Sequence, residues 1–260
     1  MNTLENKILQ TLIDLKENHH VIGIKAEFEA EGTRLEEALR LKEIVSLAGL
    51  DLTIKIGGCE AIRDMYDVRM IGVKTLVAPM IESSYALRKY IRAIQIAFPE
   101  DERKNIKFFI NIETINGFNN LDEILNIKEA DLLDGVVFGR SDMCGSLGDF
   151  PEEVNSEKMF FFAQAIAEKV HHLKKEFVIG GRVNALSLPF FKQLPKEHLS
   201  RFETRKVIFD AQKSLDDKNI ETGIQKALDF ELMWIKNKLN YNETIQNEDL
   251  KRIEILQAQK

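Results

Sequence analysis

Long apolar runs are missing from this sequence. No uninterrupted stretch approaches the ~18 residues that a membrane helix needs. The N-terminal MNTLENKILQ carries Glu5 and no small-residue cleavage site, so neither a membrane span nor a signal peptide is expected. Cysteine is scarce. Cys59 and Cys144 are the only two, too few for a disulfide framework and too far from each other and from any histidine for a zinc pattern. They read as small residues near strand ends in a reducing, cytoplasmic compartment. Prolines and glycines, 5 and 14 in number, never gather into a linker, and no repeat or low-complexity tract is present. Basic blocks are absent as well. The 36 Lys and Arg against 42 Asp and Glu leave a net charge of −6, which argues against nucleic acid as a main partner. The G-x-x-x-x-G-K-[ST], G-x-G-x-x-G and G-x-S-x-G motifs do not occur, which removes the P-loop, dinucleotide and hydrolase-elbow readings. His19, His20, His171, His172 and His198 fall at helix ends or in loops, and none sits in a ligand pattern. On a helix the adjacent His171 and His172 diverge by about 100°.

What is present is an alternation of short buried strands and amphipathic helices. The runs beginning VIGIKAEF, LDLTIKIGG, VKTLVAPM, KFFINI, LDGVVFG, FVIGGRVN and RKVIFDA are too short for ordinary helices and rich in β-branched or aromatic residues, as expected of parallel strands buried on both faces. Helical spacing separates them, for example Leu87, Tyr90, Ile91 and Ile94 ahead of Pro99, or Met159, Phe162, Ala163, Ile166 and Val170. A chain of 260 residues suits one large core. Seven strands in alternation with helices predict a single-domain (β/α)8 TIM barrel with one strand still unassigned, the alternative being a doubly wound sheet. Extra helices are expected at both ends, the N-terminal one over residues 3–17. The C-terminal one extends over 215–260, with a stripe of Ile224, Leu228, Leu232, Ile235 and Leu239 and a final short helix on Leu250, Ile253 and Leu256.

Each strand begins apolar and turns polar at its C-terminal end, the edge at which barrels and open parallel sheets place their active sites. Residues two apart share a face on a strand. Lys25 is therefore paired with Glu27, Asn111 with Glu113, Arg140 with Asp142, and Arg182 with Asn184, while Lys55 stands on the second strand. Glu113 and Asp142 close the two strands of one βαβ unit, whose right-handed crossover brings both ends to the same edge. Two carboxylates in a dry site repel, so something must neutralise them. A divalent cation, a shared proton or the surrounding basic ring are the candidates.

Three segments, VAPMIES (77–83), INIETINGFNNLDEIL (110–125) and LDGVVFGRSDMCGSLG (133–148), resemble the aldolase/citrate lyase family of the phosphoenolpyruvate/pyruvate superfamily. The resemblance implies a (β/α)8 barrel that binds Mg²⁺ or Mn²⁺ through Glu113 and Asp142. It implies a carbon–carbon lyase or aldolase acting on a 2-keto acid or related carboxylated substrate through an enolate. It also implies a homo-oligomer, trimer or hexamer, in which the C-terminal helix packs on a neighbouring subunit. In these terms Lys55 stabilises the enolate oxygen where the family places an arginine, and Lys25 or Glu27 handles protons. Arg140, Ser141 and Arg182 contact the substrate. The departures are specific: KAEFEAEG holds no family histidine, and Arg140 and Ser141 stand where the family often has Pro and Asn. Two other functions fit the same motifs, a barrel that binds without lyase chemistry and a phosphoenolpyruvate-using transferase.

Overall fold

Alternate residues of the strands point to opposite sides, and that period sorts the core into two layers. The computed structural model describes residues 1–259. Its strands are β1 (Val21–Glu27), β2 (Asp51–Lys55), β3 (Thr75–Ala78), β4 (Lys107–Ile112), β5 (Gly135–Gly139), β6 (Glu176–Gly180), β7 (Arg201–Glu203) and β8 (Val207–Asp210). They form a closed barrel in sequence order. The helices between and around them are α1 (Thr3–Asn18), α2 (Leu35–Leu47), α3 (Ile62–Ile71), α4 (Ser84–Ala97), α5 (Glu100–Arg103), α6 (Ile115–Asn119), α7 (Leu121–Leu125), α8 (Arg140–Leu147), α9 (Glu157–His172), α10 (Leu188–Lys192), α11 (Ala211–Ser214) and α12 (Ile220–Ala258).

Outward-facing residues such as Leu76, Phe108, Ile110, Val136, Phe138 and Ile179 join the helices in one large core. Inside the barrel a separate cluster of Val77, Phe109, Val137 and Val178 forms a small apolar plug. Gly135 makes that plug possible, because a Cβ there would lie 2.1 Å from the Phe109 ring. In the same inward register, nearer the strand C-termini, come Lys25, Glu27, Lys55 and Asn111. The upper barrel is thus filled with charge rather than hydrocarbon.

The unassigned strand is β7. It has three residues, two of them charged, and its signal is too short for periodicity to register. The Thr204–Lys206 connection to β8 is closed by bonds from the Thr204 N–H to the Val207 carbonyl (2.9 Å) and from the Val207 N–H to Thr204 Oγ1 (3.0 Å). A parallel crossover needs about a dozen residues or more, so this link can only be a hairpin. β8 accordingly runs antiparallel to both β7 and β1, while β1 to β7 pair in parallel. The expected alternation of strand and helix breaks at this one point.

The C-terminal segment is one continuous helix, α12, instead of a stripe followed by a separate short helix. Its buried face is Ile220, Gly223, Ile224, Ala227, Phe230 and Trp234, packed on α1. Of the predicted stripe only Ile224 is buried; Leu232, Ile235 and Leu239 lie on a second, exposed face. No helix among the described residues is long and apolar enough to cross a membrane.

Gly223 fixes the seating of α12. A Cβ there would stand 2.9 Å from the His19 Cβ, an atom tied closely to the backbone. Ala ordinarily stabilises a helix interior by up to about 1 kcal/mol over Gly. At this contact the sign reverses, and Gly223→Ala is expected to lower stability by roughly 1–3 kcal/mol. The measurement is the denaturant midpoint at constant slope; a midpoint at or above wild type would show that the helices separate without cost.

Candidate active site

The strand ends surround a cavity of about 510 Å³. Lys25, Glu27, Lys55, Glu113, Ser141, Asp142 and Arg182, all singled out in the sequence, line it, and Asn111 joins them. A groove of about 540 Å³ between α1, α2 and α12 lies away from the strand ends, and its Glu5 and Arg40 are already paired with each other.

Glu113 follows β4 directly and is almost wholly buried. Its Oε2 accepts from Asn111 Nδ2 at 2.7 Å, and its Oε1 from the Met80 backbone N–H at 2.9 Å. Met80 reaches that position with φ of 47°, a left-handed backbone uncommon for a side chain of its size and a local strain of the kind that gathers at functional sites. The neighbouring Gly139 is equally required, since a Cβ would lie 2.7 Å from Glu113 Oε2. Burial pushes the Glu113 carboxyl up to about 7, with Asp142 adding to the rise, against the opposing pull of Lys55, Asn111 and the Met80 N–H. Asp142 is exposed to the cavity in the first turn of α8, where the helix dipole favours an anion.

The two lysines are fixed cations. Burial disfavours the Lys25 ammonium, but Glu203 and Glu27 outweigh it and hold the group above its ordinary range. Lys25 Nζ contacts Glu203 and lies 3.5 Å from Glu27 Oε1. Lys55 Nζ is 2.6 Å from Glu29 Oε2. Burial opposes its charge too, and Glu113, Glu27 and Glu29 together raise it. Neither is a neutral amine ready to attack a carbonyl.

Arg140 departs from expectation. β5 ends at Gly139 and α8 begins at Arg140, so the period changes from two to 3.6 between Arg140 and Asp142, and the two side chains diverge. The fully buried guanidinium turns away from the cavity. It donates to the carbonyls of Gly180 (3.0 Å), Gly181 (2.8 Å) and Val154 (3.1 Å) and to Asn155 Oδ1 (2.6 Å). It also lies about 5 Å from the rings of Phe190 and Phe191. Burial pushes this arginine down to about 9. Its role is to hold the Gly180–Gly181 wall of the cavity, not to meet a substrate. Arg182 is also not on a strand: β6 stops at Gly180, and Arg182 has φ of 49°. It remains at the cavity rim, 3.1 Å from Glu152.

Glu203, Arg205 and Glu231 line the cavity without having been singled out. Glu203 lies on the three-residue β7, Arg205 in the hairpin, and Glu231 on α12. The charged–apolar–charged pattern of Arg201, Phe202 and Glu203 is the only signal the sequence offered for the first. Gly180 leaves Glu203 its space, because a Cβ there would be 3.1 Å from Oε1.

The elevated Glu113 gives stability a pH dependence in the protein without added metal. Between about 4.5 and about 7 the folded protein keeps a proton that the unfolded chain has released, so stability falls as pH rises through that window. Glu113→Gln removes this ionisation. The variant is expected to gain about 1–3 kcal/mol on wild type between pH 5 and pH 8, measured by chemical denaturation in the presence of a chelator. A stability difference that stays flat over this range would refute the assignment.

The model of the HpcH/HpaI aldolase/citrate lyase family matches residues 54–180. No curated protein matches the sequence significantly. Among solved structures, an HpcH/HpaI aldolase from Desulfitobacterium hafniense DCB-2 is 14% identical over 78% of this chain and 83% of its own, with a TM-score of 0.61. The citrate synthase SbnG is 17% identical over 90% of both chains, TM-score 0.60. An HpcH/HpaI aldolase/citrate lyase family protein from Burkholderia cenocepacia J2315 is 12% identical over 72% and 89%, TM-score 0.57. These structures share the barrel. The stretch that matches this family model, residues 54–180, is the one that supplies Lys55, Glu113 and Asp142 to the cavity.

Proposed function

We propose that the protein is a divalent-cation-dependent carbon–carbon lyase or aldolase acting on a 2-keto acid through an enolate. The observation that carries this reading is the pair Glu113 and Asp142. They face one cavity with no ion-pair partner among the described residues, and the buried one of the two has a raised proton affinity. The donor set fits Mg²⁺ or Mn²⁺: both groups are hard oxygen ligands, and the open cavity leaves room for water and substrate oxygens. A cation held there would supply charge against the negative oxygen of an enolate.

The remaining work falls to side chains of this chain. Lys55 places an ammonium beside Glu113, where it attracts a keto or carboxylate oxygen, although without the bidentate fork of an arginine. In the cleavage direction Glu27 accepts the proton of the substrate hydroxyl. The adjacent carbon–carbon bond breaks, its electron pair becomes the enolate, and the carbonyl fragment departs. A proton then returns to the enolate carbon to give the keto acid. Lys25, 3.5 Å away, holds Glu27 in place. Ser141, at the first turn of α8, and Arg182 at the rim are the groups proposed to contact the substrate. The reading carries a homo-oligomer too, with the exposed face of α12 around Leu232, Ile235, Leu239 and Ile245 covered by another copy.

Pyruvate should exchange its methyl protons with solvent deuterium only when Mg²⁺ or Mn²⁺ is added, and oxalate should bind with the same dependence. Glu113→Ala and Asp142→Asn are each expected to weaken metal-dependent oxalate binding by at least 10-fold, followed by calorimetry. Tight binding by Glu113→Ala, or wild-type exchange in chelator, would sink the reading. Wild-type binding without any exchange would favour a barrel that binds but does not catalyse. Sedimentation should give a trimer or hexamer, and removal of the chain after Lys238 should reduce it to a smaller species.

A further inference from the structure

The ammonium that is to receive a substrate oxygen is already in contact with a carboxylate of the chain itself. Lys55 Nζ stands 2.6 Å from Glu29 Oε2, and Glu113 and Glu27 also act on its charge. These three carboxylates are not equally held. Glu27 is the last residue of β1 and Glu113 follows β4 directly, and both are buried. Glu29 lies two residues beyond β1, in the turn that leads to α2, and 25% of its side chain is exposed. It lines the cavity beside Lys55.

The contact is also poorly aligned. Lys25 donates a hydrogen bond to Glu203, whereas Glu29 Oε2, although buried, accepts none of good geometry from any described residue. Misalignment weakens such a bond steeply, so Glu29 and Lys55 are held together by charge alone. The backbone beneath Glu29 is pinned. The Gly32 N–H donates to the Glu29 carbonyl (3.1 Å) and the Thr33 N–H to the Glu27 carbonyl (3.2 Å). Glu31 is tied to Arg205 (3.0 Å) and Lys206. Release of Lys55 therefore needs only a rotation of the Glu29 side chain, not an opening of the turn. The carboxylate that leaves has water within reach. The buried ammonium does not, and it requires a negative oxygen in exchange.

Resting on the lyase reading above, we propose that Glu29 is a built-in competitor for the substrate oxygen at Lys55. Its carboxylate neutralises the ammonium until the charged oxygen of the keto acid, or of the enolate formed from it, takes its place, and Glu29 then swings towards solvent. The exchange consumes part of the binding energy, so wild type binds anions more weakly than the cavity allows. It also sets a condition on entry: a neutral carbonyl compound cannot free Lys55, because it offers no charge in return.

Calorimetric titration with oxalate at saturating Mg²⁺ tests this. Glu29→Gln and Glu29→Ala are each expected to tighten oxalate binding by about five-fold or more, because Lys55 no longer has to be freed first. In a Lys55→Met background that gain should disappear. Glu231→Gln removes the same charge from the share of the lining that α12 provides, and it should change the affinity by less than about two-fold. Binding by both Glu29 variants no tighter than wild type, a gain that persists with Lys55→Met, or an equal gain in Glu231→Gln would overturn the inference. Metal dependence separates the two levels. With Mg²⁺-dependent binding present and no gain in the Glu29 variants, only the inference fails. Where Mg²⁺ leaves oxalate binding unchanged, the lyase reading fails, and the competition is read from the same titrations in chelator. There a Lys55-dependent gain supports it, and no gain, or no binding by any variant, overturns it.

Discussion

A charge taken out of water must find compensation close by, and the upper half of this barrel is organised by that requirement. Below, Val77, Phe109, Val137 and Val178 fill the interior as an ordinary apolar plug. Above, Lys25 is held between Glu27 and Glu203, and Lys55 against Glu29. Glycines at Gly139 and Gly180 make room for Glu113 and Glu203 respectively. Such buried pairs are weak contributors to stability compared with hydrocarbon of the same shape. Their presence in place of a second apolar layer is best understood as preorganisation: a set of fixed charges already desolvated when a substrate enters.

The strands were legible because burial on both faces demands continuous β-branched and aromatic runs, and β4 and β5 follow that rule closely. Glu113 and Asp142 were legible for the related reason that each closes such a run. The strand period, carried from Gly139 through Asp142, misplaces Arg140. Once α8 begins at Arg140, residues two apart no longer share a face. Arg182 shows the same error in milder form, since β6 gives way at Gly181 to a left-handed turn. Glu203 escaped because three residues contain no period, and Glu231 because nothing local reveals which helix will reach the cavity. The α12 stripe was real as a pattern, but the helix buries a different face, seated by Gly223 on His19.

The hairpin between β7 and β8 links fold to site. It replaces a crossover with three residues, places Arg205 at the rim, and holds Glu31 through Arg205 and the buried Lys206. With no helix between these strands, α12 lies near enough to lend Leu228 and Glu231 to the cavity. The part of the cavity lining contributed by β1, β7, the hairpin and α12 therefore lies outside the segment that matches the family model. The matched segment holds Lys55, Glu113 and Asp142, and Lys25, Glu27, Glu203, Arg205 and Glu231 come from outside it.

The reversed strand also bears on how the chain folds. β2 to β8 each pair with the strand before them, but the barrel closes only when β8 also meets β1, as Val21 and Gly23 align with Phe209 and Ile208. This pairing spans nearly the whole barrel sequence, and loop-closure entropy makes such contacts slow to form. During synthesis from the N-terminus the sheet stays an open, curled ribbon with β1 as an unprotected edge until the hairpin emerges. β7 and α12 follow β1 to β6 in the chain, so the share of the cavity lining that Glu203, Leu228 and Glu231 provide is the last to be synthesised.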